Sequence, residues 1–290
     1  MNLEARDLSR VVHNDYTANY SALKLVSAYN PAPVRTLEEL SLNALPCLQQ
    51  ILYDGWILRF ADGYTKRANS VTPLYSGAKN PKDLLQKISR CETIYQRLDL
   101  KPIFRLTNLP EWSTLDQALS QLGYVSRDTV SVQIKPIKTG DRRNQKLLNS
   151  KPLNNTPELT IETELSSEWL DHFVHGANLP IQHWQSLSTM LSIIPNPTCY
   201  AYLKERHRFC SCGLGVLENN YLGIFFFVTA KKQRRQGYAS QLIHAMTDWG
   251  QANGATQVYL QVETANQPGI NLYNKLGFTE IYQYFYRCKP

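Results

Sequence analysis

The stretch that most restricts how this chain can fold is Leu222-Gly223-Ile224-Phe225-Phe226-Phe227-Val228 together with the basic turn Arg234-Arg235-Gln236-Gly237-Tyr238-Ala239 that follows it. A short apolar run rich in aromatic and branched residues reads as a buried strand. After the turn, Leu242, Ile243, Met246 and Trp249 recur at helical spacing, with Gly250 and Gly254 placed to end the helix. Strand, basic glycine-containing turn and helix start form an arrangement suited to an anion. Gly237 lets the backbone approach closely, small Ala239 leaves room, and the N–H groups of a first helical turn lack partners of their own. Arg234 and Arg235 bring positive charge to the same place. The pattern predicts a pyrophosphate site, although the Gly-x-Gly-x-x-Gly order of a dinucleotide-binding turn is absent.

Downstream, Gln257-Val258-Tyr259-Leu260-Gln261-Val262 alternates as a strand does and leads into Glu263-Thr264-Ala265-Asn266. A second helix follows, closing in Leu272-Tyr273-Asn274-Lys275-Leu276-Gly277-Phe278. Arg-x-x-Gly-x-Ala, then strand-Asn266, then Leu-Tyr-x-Lys-Leu-Gly-Phe, in that order, resembles the GNAT superfamily of acetyl-CoA-dependent N-acetyltransferases over about residues 200–290. The resemblance implies an α/β fold with a central mixed, mostly antiparallel sheet flanked by helices. In that fold, the cofactor strand splays from its parallel neighbour and offers backbone groups to the pantetheine arm. Phe227 and Val228 would supply those groups. Arg234, Arg235, Gln236, Gly237, Tyr238, Ala239 and Ser240 would wrap the pyrophosphate, and Asn266 would contact the cofactor arm. Tyr273 matches the tyrosine that protonates the departing thiolate in many relatives.

The two halves of the chain echo each other. Gly277 of Leu276-Gly277-Phe278 lies 154 positions after Gly123 of Leu122-Gly123-Tyr124. At that offset the strand Val258–Val262 falls on Ile103–Thr107, and the helix before it falls on Leu84–Leu98. Thr129–Ile134 answers Ile281–Tyr286 as a closing strand. Trp56–Ala61, Asp62-Gly63 and Tyr64–Thr72 read as a hairpin, as do Phe209–Leu217 and Tyr221–Val228 around Glu218-Asn219-Asn220. The echo fails at the chemistry, since residues 234–239 land on Asn80-Pro81-Lys82-Asp83-Leu84-Leu85. The expected organisation is therefore an arm over residues 1–35, a degenerate GNAT-like domain over 36–137, a linker over 138–158 and a catalytic domain over 159–290. Thr36, Glu38 and Glu39 begin a helix expected to run through Leu40, Leu45, Leu48 and Ile51, with Pro46 placed to bend or split it. Arg67 and Asn69 read equally as substrate-lining residues or as polar residues of a turn.

A length of 290 residues accommodates about two domains. No apolar run approaches the roughly 18 residues of a spanning helix, and the first residues, Met-Asn-Leu-Glu-Ala-Arg-Asp, lack the basic-then-apolar order of a signal peptide. Six cysteines are scattered, and Cys210 and Cys212 share one face of a strand, so reduced thiols in a cytoplasmic protein are expected. Much of the net charge of +7 sits at Lys231, Lys232, Arg234 and Arg235, and around the polar stretch holding Lys138, Arg142, Arg143, Lys146 and Lys151. The second group has no interleaved aromatics and reads as a solvated linker, which argues against a nucleic-acid partner.

Amine acetylation needs a held thioester, a neutral amine and a proton for the leaving thiolate. Two readings stand for Tyr273: a phenol that donates, its reference pKa near 10 keeping it protonated at neutral pH, or a ring packed beside Leu276. Relatives often carry a glutamate on the cofactor strand, but Ile224–Val228 is apolar. Glu263 is the nearest acidic candidate for the base, Glu218 sits in the hairpin turn, and a water relay is the remaining route. His172, His175 and His183 read as packing or as acceptor-side lining, and without acidic or thiol partners at ligand spacing they predict no metal site. The expected reaction is direct attack by an amine, small-molecule or protein, on acetyl-CoA. The alternative is a non-catalytic CoA-binding module.

Overall fold

A computed structural model describes residues 32–75, 80–138 and 157–290. The first half runs α1 (Ala32–Ala44), β1 (Gln49–Tyr53), β2 (Trp56–Phe60), β3 (Val71–Pro73), α2 (Pro81–Arg97), β4 (Ile103–Thr107), α3 (Ser113–Gln121) and β5 (Val125–Pro136). The second runs β6 (Glu158–Glu162), α4 (Ser167–Gly176), α5 (Trp184–Ser192), β7 (Thr198–Glu205), β8 (Arg208–Glu218), β9 (Tyr221–Thr229), α6 (Tyr238–Ala252), β10 (Gln257–Glu263), α7 (Gln267–Lys275) and β11 (Thr279–Cys288). The expectations for residues 1–31, and for Arg142, Arg143, Lys146 and Lys151 of the linker, lie outside the described residues.

The eleven strands of the described residues join one sheet, in the order β1-β2-β3-β4-β11-β5-β10-β9-β8-β7-β6. Among them only β3–β4 and β9–β10 are parallel. Each of these pairs is linked through a helix, as parallel neighbours require. The 154-residue echo is visible in the elements: α3 and α7 begin at Ser113 and Gln267, and β5 and β11 at Val125 and Thr279. The last strand of each half crosses to the other. β5 pairs antiparallel with β10, Gln257↔Pro136 through Glu263↔Val130, while β11 pairs with β4, Tyr284↔Thr107 through Cys288↔Ile103. The two exchanged strands also pair with each other at the centre of the sheet.

Two cores lie apart on one face. Leu242, Ile243 and Met246 of α6 pack on Leu222, Ile224, Val258 and Leu260. Ile88, Cys91 and Tyr95 of α2, with Leu115 and Leu119 of α3, pack on Leu58, Phe104 and Leu106. Full burial of each large aliphatic side chain contributes about 1.5–3 kcal/mol, so the spacing of Leu242, Ile243 and Met246 suffices to seat α6. On the opposite face Leu37 and Leu40 of α1, Trp169 and Phe173 of α4, and Leu187 and Met190 of α5 form one core with Val132, Tyr259, Tyr282 and Tyr284. Inside it Glu38 of α1 meets Arg105 of β4 in a buried ion pair, with a 2.8 Å contact between Nη2 and Oε1. Tyr282 donates to the same carboxylate, and the guanidinium lies 3.7 Å from the centre of the Tyr284 ring.

Two local expectations are corrected. The helix expected from Thr36 through Ile51 begins at Ala32 and ends at Ala44, and Gln49–Tyr53 is strand. Pro46 has no N–H to give and bars the helical conformation to the residue before it. Arg59 Nη2 then donates to the carbonyls of Leu42 and Leu45, taking up acceptors at the helix end. The hairpin expected between Trp56–Ala61 and Tyr64–Thr72 is present but shortened: β2 pairs antiparallel with β3 only from Trp56↔Pro73 to Leu58↔Val71, and β2 also pairs with β1 across Asp54-Gly55. Residues 66–68 make a 3-10 turn. The Asn69 side chain holds this loop, accepting from Ala61 N–H at 2.8 Å and donating to the carbonyls of Tyr64 and Thr65 at 2.6 and 3.0 Å. Asn69 is therefore a buried loop clamp, while Arg67 lines a cleft.

Candidate active site

Strands β9 and β10 run paired from Gln257↔Tyr221 to Leu260↔Ile224, and no further. Beyond that point β9 carries an extra residue, since Cys212↔Val228 and Leu214↔Phe225 leave two residues facing one. Phe226 takes φ 52° there, a β-bulge that turns the strand away from its neighbour. Ser211 Oγ donates to the Val228 carbonyl at 2.9 Å, fixing that carbonyl toward β8. By strand alternation the carbonyls of Phe227 and Thr229 face the open side. Arg234 Nε reaches Thr229 O at 3.3 Å.

The opening continues into a cleft of about 780 Å³ between the start of α6 and the start of α7. Of the residues expected at a cofactor, Arg234, Arg235, Gly237, Tyr238, Ala239, Ser240 and Asn266 line it; Phe227, Val228 and Gln236 do not. Gln236 instead donates to the Lys232 carbonyl at 3.3 Å. Gly237 stands at the N-cap of α6 with φ 85°, a conformation that side-chain-bearing residues rarely adopt, and no side chain caps the helix. A Cβ placed on Gly237 would meet nothing within 4 Å, so the cleft side is open. Arg234 and Arg235 are exposed and meet no carboxylate among the described residues. Free helix donors and two uncompensated guanidinium groups fit a pyrophosphate. At α7 the position is different: the Asn266 side chain caps the helix by accepting from Gly269 N–H at 3.1 Å.

The corresponding helix start in the first half is built differently. Asn80 caps α2, accepting from Asp83 N–H at 2.9 Å, and Asp83 stands 154 positions before Gly237. One cap and one carboxylate supply the negative end that α6 lacks.

Glu263, at the end of β10, lines a second cleft of about 350 Å³ with Thr65, Lys66, Arg67, Asp128, Gln261 and Tyr284 among its walls. The two clefts share no lining residue and are linked through the turn after β10, where Asn266 N–H donates to the Glu263 carbonyl at 2.9 Å. Tyr273 is half-buried on α7, its ring edge-on to Phe278 at 5.9 Å, and does not line the larger cleft. Burial pushes its phenol up to about 12. Glu218 holds Asn43 and Asn196 and lines neither cleft. His172 stacks on Phe209 at 4.7 Å, and burial lowers its pKa. His175 pairs with Asp171 and stands edge-on to Trp184, and His183 lies beside the Tyr64 ring. His172 and His183 are partly buried and His175 is exposed, and no metal-ligand cluster occurs among the described residues. The six cysteines are free thiols. Sequence reasoning missed the second cleft as a whole: its walls come from four distant segments, and only Glu263 and Arg67 carried a signal.

Two family models match the chain. One, described as Acetyltransferase (GNAT) family, matches residues 161–278. The other, described as Probable histone acetyltransferase Rv0428c C-terminal, matches residues 31–186, more than half of the chain. The chain belongs to the GNAT superfamily of N-acetyltransferases. Among GNAT relatives, Uncharacterized N-acetyltransferase YobR of Bacillus subtilis (strain 168) is 27% identical over 256 residues, spanning 88% of this chain and 98% of that protein. The GCN5-related N-acetyltransferase of Kribbella flavida superposes with a TM-score of 0.62 at 13% identity, covering 88% of this chain and 95% of its own. A tandem GNAT protein from the clavulanic acid biosynthesis pathway gives 0.58 at 11% identity, covering 90% and 88%. Both structures share the fold of this chain, and the second is itself described as tandem. Among the described residues no helix is long and apolar enough to cross a membrane.

Proposed function

We propose that this GNAT protein moves the acetyl group of acetyl-CoA to an amine by direct attack, with acetyl-CoA in the larger cleft and the acceptor in the smaller. The observation that carries this reading is the uncapped N-terminus of α6, with Gly237 open and Arg234 and Arg235 meeting no carboxylate among the described residues, at the mouth of the β9–β10 split. Acetyl-CoA, when bound, supplies an activated thioester. The residues do the rest. Arg234, Arg235 and the first N–H groups of α6 bind the pyrophosphate, and the open-side backbone of Phe227 and Thr229 orients the arm. Glu263 takes the proton the amine must shed, directly or through water. Tyr273, which burial keeps protonated, gives one to the leaving thiolate. No cysteine lines either cleft, so no thiol is placed to carry a covalent acyl group.

In this reading residues 36–137 are a GNAT-like domain that lost its cofactor loop, and 159–290 are the catalytic domain. Calorimetric titration with acetyl-CoA tests it, followed by thiol release in the presence of amines. One site per chain and amine-dependent release support the reading. Binding without release for any amine would favour a CoA-binding module, and two sites per chain would contradict the assignment of the first half.

A further inference from the structure

Arg67 is a half-buried cation that the acetyl-transfer chemistry leaves without a task. Three contacts fix it. Its backbone carbonyl accepts from Arg59 Nη1 at 3.1 Å, and Arg59 is itself buried. Its own Nη1 donates to Gln261 Oε1 at 3.0 Å. Its guanidinium carbon lies 5.8 Å from the centre of the Phe225 ring. Gln261 is held in turn, since Tyr284 donates to the same Oε1 at 3.1 Å. The amide cannot be reversed, because arginine has only donors and must meet the oxygen.

A guanidinium carries five donors in a planar fork, and one is engaged by a side chain here. No carboxylate reaches Arg67 among the described residues. The other charges of this cleft divide unequally. Lys66 and Asp128 neutralise one another as an ion pair. Glu263 lines the cleft without an ion-pair partner among the described residues. What remains is one cation and one anion on the walls of a cavity of about 350 Å³, at the small end for a molecular ligand.

We propose that the smaller cleft takes an acceptor carrying a carboxylate beside its amine, an amino acid or a molecule of that class, with the carboxylate on Arg67 and the amine toward Glu263. This rests on the acetyl-transfer reading above. A planar carboxylate matches the arginine fork in a way that a lone ammonium or hydroxyl does not. Gln261 and Arg59 act as positioning residues for the fork, and Arg67 sets specificity.

The test is thiol release from acetyl-CoA with matched acceptors: free amino acids, their amides, the corresponding decarboxylated amines, and a peptide lysine. The expected result is a kcat/KM for the free carboxylate roughly 10- to 100-fold above its amide, carried mainly by KM. In Arg67→Met that ratio falls to about one, and Arg67→Lys, which keeps the charge and loses the fork, retains part of it. Equal rates on acid and amide, a preference surviving in Arg67→Met, or a preference for the peptide lysine would overturn the proposal while leaving acetyl transfer intact. If no amine is acetylated, the transfer reading fails, and calorimetry of an N-acetyl amino acid against wild type and Arg67→Met still decides this one. Binding weakened by the substitution supports it, and no binding or equal binding refutes it. Thermal unfolding of both variants separates lost recognition from lost fold.

Discussion

Replacing Gly237 with glutamate separates the stability of the cofactor loop from its affinity. The residue sits at φ 85°, so any side chain there strains the backbone by about 1–2 kcal/mol. Nothing lies within 4 Å of the new Cβ, so no packing clash adds to that. The introduced carboxylate stands at the N-terminus of α6, where negative charge stabilises a helix by roughly 0.3–1 kcal/mol. The net loss is about 1 kcal/mol, or ~2–4 °C in a body of this size. Affinity responds more strongly. The carboxylate occupies the place of the pyrophosphate and engages Arg234, Arg235 and the free N–H groups. Losing two charge-assisted contacts at about 1.5–3 kcal/mol each weakens acetyl-CoA binding by roughly 10²–10⁴. Calorimetry and a thermal melt on the same preparation measure both. A variant that melts within a few degrees of wild type and binds acetyl-CoA equally well would show that the α6 terminus is not the anion site.

Tyr273→Phe is expected to lower kcat at least 10-fold while leaving the Kd for acetyl-CoA within a factor of two, and an unchanged kcat would return Tyr273 to a packing role. Glu38→Ala strands Arg105 in the core and is expected to cost about 3–5 kcal/mol in urea denaturation. Glu38→Leu combined with Arg105→Met should cost less than that, and a double variant less stable than Glu38→Ala would contradict the account of the pair. Burial raises Tyr64, Tyr200 and Tyr273 from 10 to about 12, so the unfolded chain loses those protons first. Their contribution is intact below pH 10 and is lost as pH rises through 12. Denaturation across pH 8–12 should therefore show a fall beginning near 10, and flat stability through pH 12 would refute the burial of these phenols.

The segment from Leu222 to Gly254 was legible because local chemistry decides it: an apolar strand, a positive-φ glycine and a helix with one apolar stripe. Where the reading failed, a local pattern pointed the wrong way. Leu40, Leu45, Leu48 and Ile51 keep an approximately helical rhythm, yet Pro46 ends the helix, and β1 leaves Ile51 and Leu52 substantially exposed. Tyr64–Ser70 has strand-like composition, but Asn69 spends its amide on the loop. The offset of 154 residues found the repeated elements and could not find their neighbours. Alternation along β5 and β11 says which side chains are buried, not which strand lies alongside. Arg67 remained ambiguous for a related reason, since its partner Gln261 is 194 residues away.

The exchange of β5 and β11 also sets a timetable for a chain made from its N-terminus. Strand β4 ends at Thr107, yet the strand that covers its free edge ends at Cys288. Synthesis at ~5–20 residues per second puts roughly ten to forty seconds between them. Throughout that interval Phe104 and Leu106 stand on an open edge, the template on which nascent strands pair wrongly. A ribosome that stalls beyond β10 thus releases two half-built sheets rather than one finished domain and one tail, and the final ten-residue strand closes both together.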